Sequence, residues 1–124
     1  PAAAGRLVTE VVWPAAERDD FPAFARAAQA LLDANLEALR AAGAGPALLP
    51  EAQMVLERLR AGGAALCGPC LTGLGVFGLV QGAQRSVELR RPIMERLGHE
   101  AGTLLTTITH NAGARHGPAL DFGP

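Results

Sequence analysis

The chain has 124 residues and a net charge of −1, and 49% of its residues are hydrophobic against 19% charged. This length suits one domain with a sizeable core, and the composition excludes an intrinsically disordered chain. Near-neutral charge gives no electrostatic basis for a nucleic-acid partner, and two cysteines are too few for a secreted disulfide scaffold, so we expect an intracellular, cytoplasmic protein.

The domain is expected to span residues 1–124, with loosely ordered ends at 1–5 and 113–124. The start, PAAAG, lacks the charged segment and long apolar run of a secretory signal. One interpretation of these ends is that the chain is a fragment of a larger protein.

The first patterned segment, 6–13, is rich in β-branched residues and predicts either a short strand or the start of a helix. Pro14 breaks this run. Trp13, the only tryptophan, is expected to be an anchor in the core or at its rim.

Clear helical periodicity follows over 21–42, where Asp19 and Asp20 offer an N-cap and Gly43 begins a stop signal. Its polar residues, Gln29 among them, fall largely outside the apolar stripe. The stripe consists of Phe21, Phe24, Ala28, Leu31, Leu32, Leu36 and Leu39.

A second helix is predicted from about Pro50 to Ala61, and the short link before it favours an antiparallel αα-hairpin. A third is predicted over 85–97, with a kink or a fresh start at Pro92. Residues 99–112 favour a helix, although the threonine-rich part also fits a strand.

Between these helices lies a stretch without charge, Ala61 to Gln84, which must leave water in a core, an interface or a bilayer. Its seven glycines and Pro69 disfavour a membrane-spanning helix, which remains the weaker alternative. A buried helix or hairpin with close backbone approach is favoured.

Both cysteines lie in this stretch, as the CxxC sequence Cys67-Gly68-Pro69-Cys70. At a helix N-terminus such a pair would hold a low-pKa thiolate able to exchange disulfides. The four residues resemble the active-site motif of thioredoxin-like oxidoreductases, which implies Cys67 as attacking and Cys70 as resolving sulfur. Leu66 stands where that family has an aromatic residue, and no proline follows some forty residues later, so the family fold does not carry over. The alternative is two buried cysteines packed as small hydrophobic residues.

The pair would supply half a zinc site, but no second pair has finger-like spacing, so we predict neither a metal nor a cofactor.

The expected fold is mainly α, an antiparallel bundle of four to five helices around the glycine-rich segment. The alternative is an α+β fold with short strands at 6–13 and 103–110. The favoured function is a non-catalytic interaction or assembly module that binds a protein partner or itself through apolar helix faces. The alternative is a thiol-disulfide redox protein that uses Cys67 and Cys70, and the sequence leaves open whether the chain is an enzyme.

Overall fold

The structure, a computed structural model, describes residues 2–70, 73–98 and 104–108. The predicted mainly helical class is confirmed, and a two-stranded antiparallel sheet lies in the middle of the chain. The elements in chain order are α1 (Ala2–Leu7), a π-helical segment (Val8–Val12), α2 (Trp13–Glu17), α3 (Phe21–Ala41), α4 (Pro50–Ala61), β1 (Leu66–Pro69), β2 (Val76–Leu79) and α5 (Ala83–Leu97).

The N-terminal elements form one helical run that lies along α3, so of the two interpretations of 6–13 the helix is confirmed and the strand is wrong. Pro14 lies within this run and does not end it. The backbone bonds of Val8–Val12 stay within the run as a π-helix, and the Thr9 hydroxyl donates to the carbonyl of Gly5 at 3.0 Å. Ala15 is fully buried. Residues 2–5, where loose order was expected, belong to α1.

Helix α3 begins and ends as its sequence predicts. The Asp20 carboxylate accepts the Ala23 N–H at 3.1 Å, which satisfies one of the unpaired amides of the first turn. At the other end Gly43 adopts φ +72°, a left-handed conformation that glycine adopts without steric cost.

The predicted antiparallel αα-hairpin of α3 and α4 is wrong, because the β1–β2 hairpin lies between the two helices. Helix α3 packs on β1 and α4 packs on both strands, whereas no Cα atom of α3 comes within 8 Å of one in α4 among the described residues. The core lies mainly on the α4 side, where a buried cluster is formed by Val55, Leu56, Leu59, Cys67 and Ile93.

Two glycines allow the helices to approach the hairpin closely. A Cβ atom on Gly68 would lie 2.4 Å from Leu32 Cδ2 of α3, and one on Gly78 would lie 2.8 Å from Leu59 Cδ2 of α4. Opposite residues of an antiparallel pair share a face, so Gly68 and its partner Phe77 face the α3 side. Cys67 and its partner Gly78 face the α4 side. The expectation of a hairpin with close backbone approach is therefore met, but the expected burial holds only for β1, because Phe77 and Gly78 of β2 are exposed.

Helix α5 packs against α4 through Ile93, which is 1% exposed, and it continues through Pro92 to a cap at Gly98. Residues 104–108 have no regular secondary structure, which contradicts the predicted helix over 99–112 and the alternative strand over 103–110 at those positions. The run holds Thr106, Thr107 and Ile108, whose branched side chains are poor helix formers. The rest of both predictions, and the expected loose end at 113–124, lie outside the described residues.

No helix in the described part of the chain combines the length and the apolar character needed to cross a bilayer.

Candidate functional site

The two cysteines lie at the end of a strand and not at the start of a helix. Cys67 is in β1 and 4% exposed, and Cys70 is the first residue after the strand and half-buried; both are free thiols. Three residues of extended chain separate Cα atoms by about 10 Å. A disulfide needs less than about 7 Å, so bridging this pair would require the end of β1 to rearrange.

The surroundings of Cys67 favour the neutral thiol. Burial raises the pKa of the Cys67 thiol above its ordinary value of 9.0, and Asp33 adds a smaller effect in the same direction. The positive charge and hydrogen bonding of Arg60 offset part of this increase. Because the thiolate is the reactive species, Cys67 is a weak nucleophile at neutral pH.

The backbone of Cys67 is held by a side chain from α3. The Cys67 N–H donates to Gln29 Oε1 at 2.8 Å, and Gln29 Nε2 donates to the Cys67 carbonyl at 3.0 Å. The same Nε2 donates to Asp33 Oδ1 at 3.0 Å. Gln29 thus bonds the outer edge of β1 as a neighbouring strand would.

Gln29 was expected among the polar residues outside the apolar stripe of α3, and this expectation is wrong. A usable signal exists in the spacing, because Gln29 follows the buried Ala25 by four residues and precedes Leu32 by three and the buried Leu36 by seven. A polar residue in a buried stripe requires a partner, and here the partner is the backbone of β1.

An open groove of about 760 Å³ separates α3 from α4 on the side where their connection runs. Its walls carry Glu37 and Arg40 from α3 and Arg60 from α4, and Leu36 and Pro69 contribute apolar surface. Among the described residues no group of His, Cys, Asp and Glu side chains is arranged to hold a metal ion.

Several large apolar side chains remain exposed outside this groove. Trp13, expected to be an anchor, lies at the surface, where its indole N–H donates to Glu17 at 2.9 Å. The others among the described residues are Val8, Val11, Leu49, Leu74, Phe77, Val87, Met94, Leu105 and Ile108.

Comparison with known proteins gives no matching family model, no matching curated protein and no matching solved structure.

Proposed function

We propose that this domain is a non-catalytic interaction module that presents apolar surface to a protein partner. The observation that carries the proposal is the contrast between core and surface. Among the described residues only Ile93 is a large side chain with less than 2% exposure, whereas Leu74 is 85% exposed and Leu49 is 62% exposed. Burying one such leucine contributes roughly 1.5–3 kcal/mol, so a partner that covers several gains substantial affinity.

Two of these leucines lie on adjoining segments and form what we term the tip surface (Leu49 and Leu74). A Cβ atom on Gly73 would lie 3.2 Å from the Ala47 carbonyl oxygen and 3.6 Å from Pro46 Cβ. The turn of the hairpin therefore lies against the connection between α3 and α4, next to the groove. In this proposal the helices form a bundle-like support on either side of the hairpin, which is its central element.

The test measures apolar surface and association together. We expect the isolated domain to bind a hydrophobic dye, and we expect a Leu49→Ser, Leu74→Ser double variant to lose at least about half of that dye fluorescence. Val87→Ser, at a position on α5 that is 55% exposed, is the control and should change the signal less. Absence of dye binding, together with a monomer in light scattering at all concentrations, would contradict the interaction module.

The redox alternative has weaker support, because Cys67 is buried in a strand and its pKa is raised. Alkylation of the native protein followed by mass spectrometry separates the two functions. The interaction module predicts that the more accessible Cys70 reacts first, by at least about tenfold. Faster reaction of Cys67, with a Cys67–Cys70 disulfide after mild oxidation, would favour the redox protein.

The same burial predicts a pH dependence of stability. A thiol with a raised pKa in the folded state ionises first in the unfolded chain, so stability falls as the pH rises above the ordinary value of 9.0. Urea denaturation at about pH 8 and about pH 10 should therefore show a smaller loss of stability for Cys67→Ala than for the native chain. An equal loss in both proteins would show that ionisation of Cys67 does not contribute.

Two free thiols fit a reducing compartment, and on this ground we propose a cytoplasmic location.

A further inference from the structure

The hairpin has two outer edges, and its hydrogen-bond pattern shows which backbone groups point outward. Cys70 N–H donates to the Gly75 carbonyl at 2.9 Å, so these residues form a bonded pair. Bonded and non-bonded pairs alternate along an antiparallel ladder, which makes Gly68–Phe77 the next bonded pair. Cys67 and its opposite residue Gly78 therefore turn their N–H and C=O groups outward.

These two outward edges differ in their surroundings. On β1 the outward groups of Cys67 are bonded by Gln29. On β2 the outward residues are Val76 and Gly78, and no residue in the described ranges bonds their outward groups. Gly78 is also exposed, so its backbone is open to an incoming strand.

The edge of β2 lacks the features that normally prevent pairing. Natural edge strands carry charged side chains or proline, which oppose edge-to-edge contact. The sequence VFGL contains neither, and no charged residue occurs anywhere between Arg60 and Arg85. Two copies of this edge therefore meet without electrostatic repulsion.

We propose that two copies of this chain associate through β2, in an antiparallel arrangement that extends the sheet to the order β1-β2-β2-β1. Across a two-fold axis the outward N–H and C=O groups of one copy bond the same groups of the other copy. The partner therefore needs no complementary charge and no different sequence. Phe77 and Leu79 strengthen the pairing, since they lie on the face toward α3, which covers β1 but not β2. Phe77 is 37% exposed, and the second copy extends this apolar strip across the axis.

This inference rests on the proposed interaction function and names its partner as a second copy. The experiment is amide hydrogen exchange by NMR at about 10 µM and about 1 mM protein, with the mass followed by light scattering, because association follows mass action. At the higher concentration we expect a dimer in which the amides of Val76 and Gly78 exchange at least about tenfold more slowly. The Phe77 amide, bonded to β1 within each copy, should be protected at both concentrations.

A pair of variants at one position tests the edge itself. Val76→Pro removes an outward N–H without removing a bond of the ladder, and it should abolish the dimer, whereas Val76→Ala keeps the N–H and should retain it. A protein that stays monomeric at the high concentration overturns this inference, even if it binds the hydrophobic dye and so supports the interaction module. A dimer in which the two amides stay unprotected also overturns it and places the self-association elsewhere.

Discussion

The two strands of the hairpin have the same length and the same lack of charge, yet their outer edges are in different states. Gln29 closes the edge of β1 with two hydrogen bonds across 38 residues of sequence, while the corresponding groups of β2 have no partner among the described residues. A helical domain can thus hold a short strand through one side-chain amide instead of a third strand. The edge without such a residue is the one left for another molecule.

The difference between the two outer edges is tested most strongly by removing the hydrogen bonds from Gln29 to β1. Gln29→Met keeps the shape of the side chain but leaves the N–H and C=O of Cys67 without partners in a partly buried site. We expect this to cost about 2–3 kcal/mol of stability, because unsatisfied polar groups carry their full desolvation penalty. Urea denaturation followed by circular dichroism measures the change.

The matched control is Gln53→Met on α4, where the exposed side-chain amide donates to Glu57 Oε1 at 3.3 Å. This variant should change the stability by no more than about 0.5 kcal/mol. If the two variants were equally stable, the bonds from Gln29 to β1 would not contribute to the free energy of unfolding. The difference between the two edges would then have no effect on stability.

The second prediction concerns the distance between α3 and β1. Gly68→Ala places a methyl group against Leu32 and should cost about 1–2 kcal/mol through overpacking. In a Leu32→Ala background the same change should cost less than about 0.5 kcal/mol, since the space is then free.

Gly5→Ala serves as the comparison for this prediction, because nothing lies within 4 Å of a Cβ atom at that helical position. It should stabilise the chain by about 0.5 kcal/mol. A cost for Gly68→Ala that persists when Leu32 is shortened would mean that the strand requires glycine for its backbone and not for its contact with α3.

The three long helices α3, α4 and α5 could be predicted from the sequence, whereas the N-terminal helical run over 2–17 could not, because its β-branched residues also fit a strand. Over 21–41 the apolar stripe, the cap at Asp20 and the glycine after the C-terminus agree with one another. The hairpin gives no comparable signal. Its strands have four residues each and no charged side chain, so no polar and apolar alternation appears. Gly68 and Gly78 make close contacts that only the tertiary structure reveals.

The candidate site was less predictable for a related reason. A CxxC pair is reactive at a helix N-terminus, whereas Cys67 is buried in a strand. The sequence gives no signal for that strand. The spacing of Gln29 from Leu32 and Leu36 indicates that it lies in the buried stripe of α3, but its partner 38 residues later has no signal in the sequence. Periodicity can therefore indicate that a residue is buried, but not which distant segment it bonds.

The smallest predicted effect concerns the N-cap of α3, which is compared with the bonds that Gln29 makes to β1. Asp20→Ala removes the bond to the Ala23 N–H and should cost about 1 kcal/mol, a typical value for an N-cap. Asp19→Asn is the control, because Asp19 adopts φ +56° and asparagine tolerates that conformation, so the change should stay within about 0.5 kcal/mol.

The double variant Asp20→Ala, Gln29→Met then tests whether the helix and the strand edge are independent. Nine helical residues separate the two sites by about 14 Å, a distance at which effects normally add. We expect the double loss to equal the sum of the single losses within about 0.5 kcal/mol by urea denaturation. A smaller loss would mean that the cap acts by positioning Gln29, because removing the cap would then already have weakened its bonds to Cys67. In that case the closed edge of β1 would depend on the start of α3, and the difference between the two edges would extend beyond a single side chain.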